Sequence, residues 1–331
     1  MARGLVDLRK LRTLSVSLGN SSVGGEGCKA LAREFSGLLQ LSNLSVMFAG
    51  NHVGDDVCRA LADGFSELHK LSSLSVGLWN STLSASLWNN RLGVGAEGCE
   101  ALADGFSKLD KLSNLSVVLG GHRVGAAGCK ALADGVSKLL QLSTLSLDLR
   151  NNSCGDQGCK ALSEGFSKLL QLSTLSVMFG GNSVGAEGCK ALADGFSKLL
   201  QLSTLSVNLE GNKVGAEGCK ALANGFSKLL QLSDLSIELE CNQVRAEGCR
   251  ALADGFSELL PLSTLSVGLG DNGVGSDGCI VLAFGFCKLL QVSDLSVDLG
   301  YNELGAEELD ALRRKLQHVS KVKIKMEDCL S

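Results

Sequence analysis

The chain has 331 residues, a formal net charge of −4 and 45% apolar residues, with 41 glycines and a single proline. This composition excludes collagen, proline-rich disorder and a chain kept open by its own charge. A membrane helix needs about 20 consecutive apolar residues and a general nucleic-acid binder needs a basic surface, so we expect a folded protein with neither membrane insertion nor general nucleic-acid binding.

The chain opens in the middle of a repeat that recurs along almost the whole sequence. Residues 1–13 match the tail of a repeat helix, predict a partial first repeat and lack the apolar core of a signal peptide. When the leucine of each L-S-V stretch is taken as an anchor, every step to the next anchor is 30 residues except one of 41. This period predicts a solenoid, and we expect residues 1–331 to form a single domain. The anchors are Leu14, Leu44, Leu74, Leu115, Leu145, Leu175, Leu205, Leu235, Leu265 and Leu295.

Each repeat contains one strand pattern and one helix pattern. Leu205–Leu209 alternates apolar and polar residues, as a half-buried strand does. Cys219, Leu222 and Phe226 are spaced by three and four residues, which predicts one apolar helix face over residues 216–226. A glycine beside that face, such as Gly225, predicts that adjacent helices approach each other closely.

Two segments depart from the repeat. The long step carries an insertion that adds 11 residues within the third repeat, around residues 78–90, and it looks like a partial second copy of a strand. At the far end, residues 305–331 place Leu309, Leu312 and Leu316 in a last helix and Val322–Met326 in a charged last strand. Because terminal repeats must protect the core of a solenoid, this end is predicted to be a C-terminal cap.

The strand, the turn with its pattern Leu/Val-x-Leu-x-x-Asn-x-Val and the helix together resemble the leucine-rich repeat, in particular its long, ribonuclease-inhibitor-like subtype. The resemblance implies an α/β solenoid of about ten 30-residue repeats, with a parallel sheet on the concave face and α-helices on the convex face. Parallel strands lie about 4.8 Å apart whereas packed helices need about 8–10 Å. We therefore expect the stack to bend into a horseshoe.

An asparagine recurs in the turn after the strand, as Asn212 does seven residues after Leu205. An inward-turned amide there can bond backbone groups that the turning strand leaves open. Ser21 and His122 replace it in two repeats, and we expect the His122 repeat to be locally looser. The predicted structural row is Asn51, Asn90, Asn152, Asn182, Asn212, Asn242, Asn272 and Asn302.

Most cysteines share one column of the predicted helices. Neighbouring members of the column lie too far apart to bridge, so we expect buried free thiols and a reducing compartment, the cytoplasm. Cys241 lies outside the column and is expected on the concave side. The column is Cys28, Cys58, Cys99, Cys129, Cys159, Cys189, Cys219, Cys249 and Cys279.

Catalytic patterns in the sequence have simpler explanations. Residues 93–98 match the dinucleotide fingerprint G-x-G-x-x-G, but equivalent repeats carry Lys213 or Ser183 at the first glycine, so the match is turn chemistry. The serine after each anchor recurs in all ten repeats, and a nucleophile would stand out from such a row. We therefore predict no catalytic residue, no metal and no cofactor.

Positions three, five, six and eight after the anchor, and the one before it, vary between repeats and are predicted to lie on the concave face or its rim. In the first four repeats these columns hold no carboxylate and are comparatively apolar and aromatic, whereas from the fifth onward they hold nine acids against two bases. This contrast predicts an apolar contact surface followed by an acidic one. The predicted partner-binding residues are Met47, Trp79, Trp88, Val118, Asp148, Arg150, Met178, Asn208, Glu210, Asp234, Glu238, Glu240, Asp271, Asp298 and Tyr301.

The preferred interpretation is a non-catalytic, monomeric intracellular scaffold that binds another protein, through a basic segment, on its concave face. The acidic columns also fit a merely solvated surface. The resemblance implies two further functions, a ribonuclease-type enzyme inhibitor and an activator of the Ran GTPase. The start in mid-repeat favours a fourth, the ligand-sensing segment of a larger immune-type receptor.

Overall fold

The computed structural model describes residues 8–21, 23–51, 53–79 and 93–325. The chain divides into two compact units, the first comprising Met1–Cys154 with Glu164–Leu172 and the second Gly155–Ser163 with Ser173–Ser331. Most of the predicted insertion, including Trp88 and Asn90, lies outside the described residues, as do residues 1–7 of the predicted partial repeat. The assignment of one domain to residues 1–331 stays a prediction.

The first unit alternates parallel strands with helices. The anchor leucine of each strand pairs with the anchor of the next, so the repeats stack in register. Its strands are β1 (Thr13–Ser17), β2 (Asn43–Met47), β3 (Ser73–Gly77), β4 (Asn114–Val118) and β5 (Thr144–Asp148), and its helices are α1 (Gly24–Glu34), α2 (Asp55–Phe65), α3 (Ala96–Phe106) and α4 (Gly125–Val136).

The second unit follows the same pattern and ends in a strand that lacks the repeat's serine. Residues 155–163 of helix α5 (Gly155–Phe166) belong to it. Its strands are β6 (Thr174–Met178), β7 (Thr204–Asn208), β8 (Asp234–Glu238), β9 (Thr264–Gly268), β10 (Asp294–Asp298) and β11 (Lys321–Lys325). Its further helices are α6 (Ala186–Phe196), α7 (Gly215–Phe226), α8 (Arg245–Phe256), α9 (Gly275–Phe286) and α10 (Ala306–Lys315).

The predicted α/β solenoid of about 30-residue repeats is confirmed within each unit. In β7 the residues alternate between half-buried and buried, because one side of the strand packs against the helix of its repeat. Observed bounds differ from the predicted ones by one residue: β7 begins at Thr204, α7 at Gly215 and β11 at Lys321. The sequence period therefore located each element closely.

The cysteine column packs inside the helix layer. All nine of its members are buried as free thiols, and the small apolar side chain fits where a larger one would separate the helices. Burial raises the pKa of Cys189 to about 12 and that of Cys249, where nearby Cys279 adds to the effect, also to about 12. The packing role expected from the sequence is thus confirmed, and the raised pKa values of Cys189 and Cys249 are the opposite of what an activated nucleophile needs.

The asparagine in the turn joins consecutive repeats. Oδ1 of Asn212 accepts the backbone N–H groups of Asn182 (3.0 Å) and Val184 (2.9 Å) in the preceding repeat. Its Nδ2 donates to the carbonyl oxygens of Phe179 (3.0 Å) and Leu209 (2.7 Å). Asn51, Asn152, Asn182, Asn242, Asn272 and Asn302 are likewise buried in their turns. Each amide therefore satisfies backbone groups that the turn removes from the sheet.

His122 makes the same kind of contact with a ring. The N–H of Val94 donates to Nδ1 (3.2 Å), and Nε2 lies 2.7 Å from the carbonyl oxygen of Leu78. These partners require the neutral tautomer with the proton on Nε2. The ring is buried and gives the backbone one acceptor and one donor, whereas Asn212 makes four such bonds. A looser repeat at His122 stays a prediction.

Close helix packing depends on the glycine in each helix. A Cβ at Gly225 in α7 would lie 2.7 Å from the Cβ and 2.8 Å from the Cα of Ala193 in α6. Gly255 faces Ala223 in the same way. The predicted close approach of adjacent helices is confirmed, because no side chain fits between these backbones.

Replacing Gly225 by alanine should destabilise the fold. The added methyl group meets backbone atoms of Ala193, which cannot rotate away, so overpacking should outweigh the higher helix propensity of alanine by about 1–2 kcal/mol. Chemical denaturation of the full chain measures the change. Gly37→Ala is the matched control, because a Cβ there meets nothing within 4 Å; equal effects of the two substitutions would contradict the packing argument.

The substitution His122→Asn should change the pH dependence of stability. Burial lowers the pKa of His122 from its usual 6.5, so the unfolded chain binds the proton more readily than the folded protein. The free energy of unfolding of the wild type should therefore fall as pH drops below about 6.5 and continue to fall until the folded-state pKa is passed. The asparagine of the variant does not titrate, so the difference between the two proteins should grow between pH 7.5 and pH 5, measured by urea denaturation. Parallel pH profiles would show that His122 is not protonated in this way.

Candidate functional site

The strand face of each unit is the side of the sheet that points away from the helices, together with the turns that follow the strands. In β7 it is formed by Thr204, Ser206 and Asn208, which are half-buried, while Leu205 and Val207 pack inside. The serine row predicted from the sequence lies along this face. Residues that differ between repeats follow it at the end of each strand, so this is where specific contacts can form.

The strand face of the first unit is apolar at its centre. Trp79 is 45% exposed, and its Cδ1 lies 2.8 Å from the place where Gly120 would carry a Cβ. The Sδ of Met47 occupies the corresponding space over Gly77, where it would overlap such a Cβ. Val118 is the cross-strand partner of Gly77. Large side chains thus lie over glycines of the next repeat, and with Val118 they form what we call the apolar layer.

Asp148 and Arg150 form a pair at one edge of that layer. Oδ1 of Asp148 accepts a hydrogen bond from Nε of Arg150 (3.0 Å), and its Oδ2 accepts one from Nη2 (2.6 Å). The carboxylate is only 7% exposed while the guanidinium is 45% exposed. A partner approaching this edge therefore meets the arginine, and the negative charge predicted for Asp148 is already compensated.

The strand face of the second unit is acidic, and two of its carboxyl groups occupy the space above one glycine. A Cβ at Gly268 would overlap both Oε2 of Glu238 and Oε1 of Glu240. Glu238 accepts a hydrogen bond from Ser236 (3.3 Å). Oε2 of Glu240 is buried and has no hydrogen-bond partner within the described structure. Because Gly268 of β9 has no side chain, there is room for the two carboxyl groups to lie side by side.

The proximity of the two groups changes the acidity of Glu238. Burial, the charge of Glu240 and a hydrogen bond between the two carboxyl groups together raise the pKa of Glu238 to about 7, with a smaller contribution from Asp298. Glu238 therefore keeps its proton to a higher pH than an ordinary glutamate does. A cation placed beside the pair would favour loss of that proton.

Two further acids of this face are compensated by the last strand. Asp294 pairs with Lys321, and Asp298 lies 3.1 Å from Nζ of Lys325. Both are cross-strand neighbours in register. Sequence reasoning missed these pairs, although placing the alternating lysines of β11 beside β10 would have shown them.

The turns after β8, β9 and β10 carry side chains at a left-handed backbone position. Cys241 (φ 57°), Asp271 (φ 52°) and Tyr301 (φ 56°) stand where other repeats have glycine, as at Gly211. Sγ of Cys241 lies 3.5 Å from Oδ2 of Asp271, and burial followed by that hydrogen bond raises the pKa of the thiol. Cys241 is thus exposed, but it forms the thiolate less readily than an ordinary cysteine does.

The remaining predicted residues lie along the same strand face. Met178 and Asn208 are cross-strand partners on β6 and β7, and the backbone N–H of Glu210 donates to Asn208 Oδ1 (3.2 Å). Asp234, at the start of β8, accepts the hydroxyl of Ser233 (2.6 Å). In the part of the chain that the structure describes, no three metal-ligating side chains converge, and no helix there has the length and apolarity to cross a membrane.

Comparison with known proteins finds a family model that is similar to one repeat of the chain. The leucine-rich repeat family model matches residues 203–223, which cover β7 and the first part of α7. No curated protein matches the chain in sequence. Among solved structures, a chain of the yeast Rad7 and Elc1 complex has 15% identity and a TM-score of 0.46, over 100% of this chain and 84% of that one.

Replacing Glu240 by glutamine should stabilise the protein more at pH 8 than at pH 5. The raised pKa of Glu238 means that the folded protein binds its proton more tightly than the unfolded chain, so this contribution to stability is lost as pH rises from about 4.5 through about 7. Removing the neighbouring charge lowers that pKa and reduces the loss. Thermal midpoints at the two pH values measure it, with Glu210→Gln as the matched control. An equal effect of Glu240→Gln at both pH values would contradict the coupling.

Proposed function

We propose that this leucine-rich repeat protein is a non-catalytic scaffold for protein interaction, and that the acidic strand face of its second unit binds a basic segment of a partner protein. The leucine-rich repeat fold is typical of binding proteins and offers a long exposed sheet. What singles out the second unit is a set of carboxylates that its own lysines and arginines do not reach.

The proposal depends on four acids of this face that lack a basic partner. They are Glu210, Glu238, Glu240 and Asp271. None of these four carboxyl groups forms an ion pair within the described residues, whereas Asp294 and Asp298 are paired with lysines of β11. Oε2 of Glu240 is also buried without a hydrogen bond. A buried acceptor without a partner costs about 1–3 kcal/mol. A lysine or arginine of a partner, placed beside the carboxyl groups of Glu238 and Glu240, would supply the missing donor and charge.

The turns provide a second, independent argument. A left-handed residue other than glycine costs roughly 1 kcal/mol, and the neighbouring repeats show that glycine suits the position. Asp271 and Tyr301 nevertheless present their side chains there, and Tyr301 is 53% exposed. An acid and an aromatic ring are the side chains that a basic segment contacts through charge and cation–π attraction.

The same proposal gives the first unit a separate contact surface. Met47, Trp79 and Val118 form its apolar layer, and Arg150 borders it. Exposed tryptophan and arginine are enriched among the residues that dominate binding energy in protein interfaces. Met47, Trp79 and Val118 are not nucleophiles. In the second unit, Cys241 is the only exposed thiol described on the strand face, and its pKa is raised. Both observations support a role in binding rather than catalysis.

Charge reversal tests the acidic surface. Glu210→Lys, Glu238→Lys and Glu240→Lys in one protein should weaken binding of a fluorescent lysine- and arginine-rich peptide about tenfold or more and remove most of its salt dependence. Fluorescence anisotropy at low and high salt measures both effects. Tagged forms of the same proteins can then be compared as baits in cell extract.

The matched control carries the same change of charge on the helices. Glu187→Lys, Glu217→Lys and Glu247→Lys alter exposed residues in the first turns of α6, α7 and α8. This control should bind the peptide nearly as well as wild type. If it loses as much affinity as the strand-face variant, net charge rather than the strand face governs binding, and the proposal is wrong.

A further inference from the structure

A second surface, distinct from the strand face, lies in the turns that lead from each helix to the next strand. In the second unit these turns expose one leucine per repeat, and we call the row the leucine ridge. Its members are Leu200, Leu230, Leu260 and Leu290, exposed by 57%, 68%, 75% and 78%.

The exposure is selective within each turn. Leu229, immediately before Leu230, is fully buried, and the next leucine, Leu232, is fully buried as well. The core therefore takes two apolar residues from every turn and leaves the leucine between them outside. Single exposed leucines are common, but four in the same place of successive repeats form a continuous apolar line, which marks a contact surface.

Positive charge runs beside the ridge. Lys198, Lys228 and Lys288 each precede a ridge leucine by two residues, and Glu258 holds that position in the remaining repeat. All three lysines are exposed, and none forms an ion pair within the described residues. The ridge is thus an apolar line with a net basic margin.

We propose that the leucine ridge binds an acidic amphipathic helix of a partner protein. Equivalent residues of neighbouring repeats are separated by about 4.8 Å at the strands and by about 8–10 Å at the helices, so a turn between them has an intermediate spacing. An α-helix presents one apolar residue per turn, about every 5.4 Å. Its apolar stripe can therefore follow the leucines while acidic residues beside the stripe face the lysines.

The charges favour this occupant over two others. A second copy of the chain, packed ridge to ridge about a two-fold axis between Leu230 and Leu260, would bring Lys198 of one copy against Lys288 of the other and Lys228 against Glu258, so its attractions and repulsions would offset each other. An anionic membrane is broader than the ridge, and it would also meet the exposed carboxylates of Asp194 and Asp254. A single acidic helix meets three lysines and one glutamate beside the ridge, which leaves a net attraction.

The probe is a fluorescent 18-residue peptide with leucines along one helical face and glutamates elsewhere, measured against the full chain by anisotropy. A scrambled peptide of the same composition is its reference. Leu230→Ser with Leu260→Ser should weaken binding of the amphipathic peptide about tenfold or more. Lys198→Glu, Lys228→Glu and Lys288→Glu together should weaken it by a similar factor.

Matched variants separate the ridge from net charge and from the strand face. Lys190→Glu, Lys220→Glu and Arg250→Glu make the same change of charge on exposed helix positions and should retain binding. The strand-face triple variant should also retain it, so the two proposals can fail independently. Because every substituted side chain of the ridge and its helix control is exposed, circular dichroism should show unchanged folding.

Four results would overturn the proposal. The first is equal binding of the amphipathic and scrambled peptides, and the second is unchanged affinity in the leucine variant. The third is a dimer in analytical ultracentrifugation that Leu230→Ser with Leu260→Ser dissociates, which would make a second copy the occupant. The fourth is co-flotation with phosphatidylserine vesicles that the same variant abolishes, which would assign the ridge to a membrane surface.

Discussion

The buried asparagine amide is the contact on which the rest of each unit depends. Its oxygen accepts two backbone N–H groups of the preceding repeat and its nitrogen donates to backbone carbonyls, as Asn212 shows. Because these bonds join backbone groups of two repeats, the amide helps to fix the position of each repeat on the one before. That fixed register makes equivalent residues of successive repeats fall into columns, and the columns create the surfaces. His122 shows that the requirement is for one acceptor and one donor at the right spacing, which an imidazole meets in its neutral form.

Glycine residues then leave the space that neighbouring backbones or large side chains occupy. Inside the helix layer, Gly225 allows two backbones to touch. On the strand faces, Gly268 and Gly120 have the opposite effect, because the space that each leaves is filled by side chains of the preceding repeat. In the second unit this brings Glu238 and Glu240 together, and in the first it lets Trp79 lie against the sheet. Glycine thus allows close packing of the helices, and on the strand faces it leaves room for the side chains of the candidate sites.

Most of the fold could be predicted because it is repeated, whereas the sites depend on single residues. Apolar alternation placed β7 within one residue, and the spacing of Cys219, Leu222 and Phe226 did the same for α7. A period cannot show that Asp148 turns back onto Arg150 two residues later, since no other repeat has an arginine at the position of Arg150. The leucine ridge does repeat, but the sequence could not show it. Leu229 and Leu230 look alike in the sequence, and only the structure shows that Leu229 is buried and Leu230 is exposed.

The strand face and the leucine ridge have opposite charge although they belong to the same repeats. In the repeat that contains β8, Lys228 and Leu230 precede the strand, while Glu238 and Glu240 lie at its end. A strand of five residues spans about 16 Å at about 3.3 Å per residue. The Debye length at physiological ionic strength is about 8 Å, so charges at one end of the strand have little effect at the other. Acidic and basic partners can therefore be attracted to the same repeat at once, each by its own end of the strand.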